Sequence, residues 1–203
     1  MTNYKVLCIG QGCNEPSNTS RWREANFKRE GISAESSAPV MAESLGLDTR
    51  YNYQIDRPGN NWSIGPKPVG IVLAHFSAWN SCAIDSHAGP YMIFEDDVQL
   101  CHEFKNKVED ALRPLPADWD YLFLGSCCTP GKLEGGPGSG VFDVRYPMCA
   151  HAYMISKVMA KYLIDSFKRC WAPMDVLLAL EVLHGRKVYT SWPNLAWQTG
   201  TQL

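Results

Sequence analysis

No stretch of this chain approaches the roughly 18 consecutive apolar residues needed to cross a bilayer, which leaves no candidate membrane span. The first apolar run, Val6-Leu7-Cys8-Ile9, lacks the length and the small-residue cleavage site of a secretory leader, and reads instead as a first strand. Basic residues are in slight deficit, 19 against 21 acids, and none of them cluster. Without a positive field or stripe, nucleic-acid binding is not expected. The eight cysteines, Cys8, Cys13, Cys82, Cys101, Cys127, Cys128, Cys149 and Cys170, include no C-x-x-C pair, which argues against zinc. A chain of 203 residues needs no disulfide staples, so the cysteines read as reduced, several as small hydrophobes. With no leader, that reading places the protein in the cytoplasm. Two glycine-rich stretches also fall short of known phosphate cradles. Gly10-Gln11-Gly12 lacks the full dinucleotide fingerprint, and Gly135 to Gly140 lacks the Lys and Ser/Thr that end a P-loop.

What remains is a globular composition, 45% hydrophobic and 20% charged, sized for one domain over residues 1–203. The pattern alternates. Lys5–Ile9 reads as a strand, Arg21–Glu30 as a charged helix and Ile32–Glu35 as a short strand. Residues 36–68, with Pro39, Pro58, Pro66 and Pro68, read as a loop-rich segment, either a lid, a binding loop or a poorly ordered stretch. Val69, Val72, Leu73, Phe76, Asn80, Ala83 and Ile84 then recur at helical spacing. After Gly89-Pro90 comes Tyr91-Met92-Ile93-Phe94, an apolar run suited to a strand buried on both faces. A helix near His102–Leu112, a strand at Tyr121–Leu124, a Gly/Pro-rich loop at Thr129–Gly140, and strands at Val141–Val144 and Ala152–Ile155 follow. Ser156 caps a helix reaching Phe167, and Met174–Leu183 is the last helix. Strands alternating with helices predict an α/β layered fold with a mixed, mostly parallel sheet.

The buried strand runs straight into Glu95-Asp96-Asp97. In α/β sheets the carboxyl ends of strands present ligand-binding residues. Strand alternation sends Glu95 and Asp97 to one side and Asp96 to the other. Crowded carboxylates repel one another, and a divalent cation offsets that cost. Mn²⁺ or Mg²⁺ suits such oxygens while leaving positions open for phosphate. A solvated acidic turn is the alternative.

Gly70 to Trp79, containing His75-Phe76-Ser77-Ala78-Trp79, followed by Tyr91 to Val98 with its Glu-Asp-Asp, resembles glycosyltransferase family 25. That family includes bacterial lipooligosaccharide sugar transferases and animal collagen galactosyltransferases. Asp118-Trp119-Asp120-Tyr121, His151-Ala152-Tyr153-Met154-Ile155-Ser156, Pro173-Met174-Asp175 and Pro193 to Gln198 resemble its later elements, in the same order. Ile71 and Ala74 depart from its usual Cys and Ser. The resemblance implies a Rossmann-like A-type nucleotide-sugar transferase fold. It also implies transfer of a sugar, by inversion, from a nucleotide donor such as a UDP-sugar to a glycan hydroxyl.

On that reading Asp97, with Glu95, holds Mn²⁺ or Mg²⁺ against the diphosphate, and Asp96 meets the ribose or sugar. Asp175 becomes the candidate base that takes the acceptor proton, against the plainer reading that it stabilises a helix start. His75 and Trp79 share a helix flank, facing either the donor or the core. Gly10, Arg21, His151, Tyr153 and Gln198 complete the candidate donor and acceptor contacts. Two other readings stay open: a metal-dependent nucleotidyltransferase, and a non-catalytic nucleotide- or sugar-binding module on a transferase fold.

Overall fold

The computed structural model describes residues 3–10, 18–37, 53–54, 63–64, 66–126, 140–144, 147–166 and 172–199. The expected loops at 36–68 and 129–140 lie largely outside them. A seven-stranded sheet runs in the order β2-β1-β5-β9-β7-β10-β8. Its strands are β1 (Lys5–Ile9), β2 (Glu35–Ser36), β5 (Tyr91–Glu95), β7 (Tyr121–Phe123), β8 (Val141–Asp143), β9 (Ala152–Ile155) and β10 (Val188–Ser191). Two small ribbons accompany it: β3 (Tyr53–Gln54) with β4 (Ser63–Ile64), and β6 (Val98–Leu100) with β11 (Ala196–Gln198).

Strands β1, β2, β5, β7 and β10 run one way, while β9 and β8 run the other. The sheet is therefore mixed and mostly co-directional, as expected. Because β9 is reversed and sits between β5 and β7, its amino end lies beside their carboxyl ends.

Side-chain alternation divides the core in two. Tyr91, Ile93, Tyr121, Phe123, Tyr153 and Ile155 face one side, with Trp79, Met159, Leu163 and Leu177 from the helices α2 (Pro66–Ile84), α4 (Lys157–Ser166) and α5 (Met174–Leu177). Met92, Phe94, Leu122 and Met154 face the other side, against Phe27 of α1 (Asn18–Arg29) and Phe104 and Val108 of α3 (Phe104–Leu112). Both sheet faces are thus covered, which explains why these strands read as unbroken apolar runs. The helix that begins with α5 continues as a π-helical turn over Leu178–Val182. Ser156 caps α4 as expected, its Oγ accepting from the Met159 amide at 3.0 Å.

Three expectations change. The inward stripe of α2 is Val72, His75, Trp79 and Cys82, all buried, whereas Asn80 and Ile84 face outward and Ile84 is 77% exposed. The turn that carries His75 inward carries the expected apolar stripe partly out. Secondly, β3, β4, β6, β10 and β11 arise from segments with no expected strand. Thirdly, Cys149 is disulfide-bonded, while Cys82 and Cys101 are free. The cysteines are therefore not uniformly reduced, and they no longer support a cytoplasmic setting. Among the described residues no helix is long and apolar enough to cross a membrane.

Candidate active site

The carboxyl edge of the sheet collects the acids, and alternation along β5 decides where each one points. Glu95 continues the Tyr91–Ile93 face and meets α2. His75 Nε2 lies 3.1 Å from Glu95 Oε1, and Gln198 Nε2 donates to Glu95 Oε2 at 3.2 Å. Gln198 also donates to Asp97 Oδ2 at 3.4 Å, so one carboxamide spans both carboxylates. It can do so because β11 pairs with β6 directly after the acids, with Gln198 opposite Val98. The ribbon is fastened again where the Thr199 amide donates to the Asp97 carbonyl at 2.8 Å.

Asp96 points the other way, toward β1 and α1. A Cβ on Gly10 would stand 2.5 Å from Asp96 Cγ, and Gly10 has φ +119°, a region that strongly favours glycine. Arg23, buried on α1, donates from Nη1 to the Asp96 carbonyl at 3.3 Å. Arg21, the arginine named from the family resemblance, is exposed two positions earlier. Arg23 was not among the candidates. Its only signal is that two residues along a helix turn a side chain to a different flank.

Behind Glu95 lies a fully buried polar chain. Tyr153 Oη is 2.8 Å from His75 Nδ1 and accepts from Trp79 Nε1 at 2.9 Å. The Tyr153 ring stacks on Tyr121, with centroids 4.8 Å apart, and on His75 at 5.7 Å. His75, Trp79 and Tyr153 thus come together, but as a layer beneath Glu95 that solvent does not reach.

His151, just before β9, is buried and donates from Nε2 to the Ala196 carbonyl at 3.3 Å. Gly125 makes this approach possible, since a Cβ there would lie 2.0 Å from Ala196 O and 2.5 Å from His151 Nε2. Asp175 stands at the start of α5. Its Oδ2 accepts from the Cys149 amide at 3.1 Å and its Oδ1 from the Val176 amide at 2.9 Å. The reversed strand β9 thereby brings Cys149, His151 and Asp175 to the edge where β5 ends.

Electrostatics separate the two carboxylates that Gln198 joins. Burial, followed by the charges of Glu95 and Asp96, pushes Asp97 up to about 6. Burial also opposes ionisation of Glu95, but the hydrogen bond from His75, helped by His151 and Gln198, holds its carboxyl below the usual range. Burial lowers the His151 pKa, against the opposing pull of the Ala196 carbonyl and Glu95. Among the described residues Asp97 Oδ1 and His151 Nδ1 are buried atoms without a hydrogen-bond partner. Such atoms are costly unless something else meets them. Among those same residues no group of three or more His, Cys, Asp and Glu side chains is arranged to hold a metal ion.

A family model described as "Glycosyltransferase family 25 (LPS biosynthesis protein)" matches residues 47–129, the span that contains α2, β5 and the acids. Over those residues the chain matches glycosyltransferase family 25. It is 29% identical over 161 residues to the human protein named "Inactive glycosyltransferase 25 family member 3", covering 74% of this chain and 26% of that protein. The Bos taurus protein named "Probable inactive glycosyltransferase 25 family member 3" is 31% identical over 165 residues, 76% of this chain and 27% of the relative. Mouse "Procollagen galactosyltransferase 2" is 32% identical over 60 residues, 28% of this chain and 9% of the relative. The chain spans about a quarter of the length of the first two relatives.

Proposed function

We propose that this chain is a family 25 hexosyltransferase on an A-type fold that moves a sugar, with inversion, from a nucleotide-sugar such as a UDP-hexose to a glycan hydroxyl. The observation that carries the reading is the pairing of Glu95 and Asp97 under Gln198, with Asp97 Oδ1 buried and unpartnered at the carboxyl end of β5. The oxygen donors fit Mn²⁺ or Mg²⁺, which bind through one or two carboxylates and take their remaining ligands from phosphate and water. Asp97 would hold the cation with Glu95 beside it. When bound, the cation supplies Lewis-acid stabilisation of the charge that develops on the departing diphosphate.

The chain's own residues have separable tasks in this reaction. Gln198 fixes the spacing of Glu95 and Asp97. Gly10 leaves room for Asp96, which is presented on the opposite side of the strand toward the ribose or sugar. Asp175 takes the acceptor proton. Both its oxygens already accept a backbone amide, which fixes the carboxylate and leaves each oxygen a second lone pair. His151 contributes from just before β9 to the same edge.

A second reading is a nucleotide-sugar-binding module without turnover. It is favoured by the names of the two relatives that align along about three quarters of the chain, both of which contain the word "inactive". Release of nucleoside diphosphate from a panel of nucleotide sugars, with Mn²⁺ and with chelator, decides between them. Metal-dependent release that Asp97→Asn abolishes supports the transferase. Metal-dependent donor binding without release, even with glycan acceptors present, supports the module. Release of pyrophosphate instead would point to a nucleotidyltransferase.

A further inference from the structure

The buried chain behind Glu95 has only one arrangement of protons that satisfies every member. Trp79 Nε1–H is a donor only, and its acceptor is Tyr153 Oη. The Tyr153 hydroxyl has one proton to give, and the Trp79 nitrogen cannot take it. The remaining neighbour is His75 Nδ1, at 2.8 Å. That nitrogen therefore accepts, the His75 proton resides on Nε2, and it is donated to Glu95 Oε1 at 3.1 Å. In the opposite tautomer an imidazole lone pair would face a carboxylate, and the Tyr153 proton would have no acceptor. A buried hydroxyl left without an acceptor is costly. The rings leave little freedom to escape, because Tyr153 is stacked against Tyr121 and His75, and all three are fully buried.

We propose that Tyr153 and Trp79 are positioning residues that lock His75 in the Nε2–H tautomer, so that Glu95 is kept an oriented hydrogen-bond acceptor and Asp97 is the carboxylate left to bind the cation. The cation half of this statement rests on the function proposed above; the tautomer does not. Glu95 receives a proton donor on each oxygen, His75 on Oε1 and Gln198 on Oε2. Asp97 Oδ1 receives none. The two acids of the motif thus differ because one is backed by a fixed imidazole and the other is not.

The test uses the full chain labelled with ¹⁵N-histidine and free of metal. Long-range proton–nitrogen spectra at neutral pH report the tautomer, with His75 assigned by its loss in His75→Gln. The Nε2–H pattern is expected in the wild type, and Tyr153→Phe is expected to replace it with a mixture. Mn²⁺ affinity, read from the electron-spin signal of free ion, is expected to fall about tenfold in Tyr153→Phe, as for other groups that orient a ligand without touching the metal. An Nδ1–H pattern in the wild type overturns the lock, and so does a Tyr153→Phe protein that keeps both tautomer and affinity. If Tyr153→Phe does not fold, Trp79→Phe removes the donor while keeping a ring, and the wild-type spectrum stands without any variant. A wild type with the Nε2–H tautomer and no Mn²⁺ binding upholds the lock and overturns the function proposed above.

Discussion

At the scale of single residues, Gly10 and Asp97 give the sharpest expectations. Any side chain at Gly10 meets the Asp96 carboxylate and is held at φ +119°. Gly10→Ala should therefore cost about 1–3 kcal/mol in urea denaturation, and a loss below measurement error would mean that Asp96 moves freely. Asp97 has a signed pH dependence. Its folded value of about 6 lies above the ordinary 3.8, so the folded chain holds this proton more tightly than the unfolded chain. The stability it contributes is complete below about 4 and is lost as pH rises through about 6. The amplitude is on the order of 1–2 kcal/mol once solvent screening of a partly exposed group is allowed for. Metal-free Asp97→Asn should thus be more stable than wild type at pH 7.5, with the gap closing toward pH 4. A gap that does not depend on pH would refute the assignment. Much of this was legible beforehand. The apolar run before the acids marked the strand, and alternation gave the opposite directions of Glu95 and Asp96. The partner of each acid was not legible from local pattern, since Gln198 lies 103 residues from Glu95 and Arg23 lies 73 from Asp96.

At the scale of elements, α2 shows why a reading by hydrophobicity alone drifts. Its inner face carries a histidine and an indole N–H that find partners in Tyr153 and Glu95, so polarity did not mean exposure. The strand β10 went unseen although Val188-Tyr189-Thr190 is a β-branched and aromatic run, a signal that its short length concealed. Strands β6 and β11 have three residues each and exist because they pair with each other, which no local window contains. Helix α5 allows two tasks of Asp175 to be separated. Asp175→Asn keeps a carbonyl acceptor for one amide and loses the basic carboxylate. It should unfold within about 1 kcal/mol of wild type while transfer to an acceptor falls at least a hundredfold, the scale of general base catalysis. Equal losses of stability and transfer would reduce Asp175 to a structural residue.

At the scale of the whole molecule, one sheet edge receives groups from nearly the full sequence: Gly10, Arg23, the acids at 95–97, His151, Asp175 and Gln198. The layered α/β class and the co-directional majority of strands followed from the alternating pattern. The reversal of β9 did not, because nothing in Ala152–Ile155 encodes the direction of its neighbours. A ligand that bridges so many elements should stabilise them together. A UDP-sugar with Mn²⁺ at a hundredfold excess over its Kd should add about 2.7 kcal/mol to unfolding, read as a rise in Tm that chelator reverses. No shift with any nucleotide sugar would argue against donor binding.

The place of β9 also has a consequence in time. It is the strand that joins β5 to β7, pairing with both. On a ribosome adding about 5–20 residues per second, the roughly 60 residues between Glu95 and Ile155 take on the order of 3–12 s. Throughout that interval Tyr91-Met92-Ile93-Phe94 has its β1 neighbour but an open edge on the other side, which is a ready template for pairing with another chain. A product that stopped at residue 150 would carry every acid of the motif and have nothing to close the sheet beside it. The edge of β5 beside the acids is thus closed only by a strand from the later half of the chain, which holds none of the three.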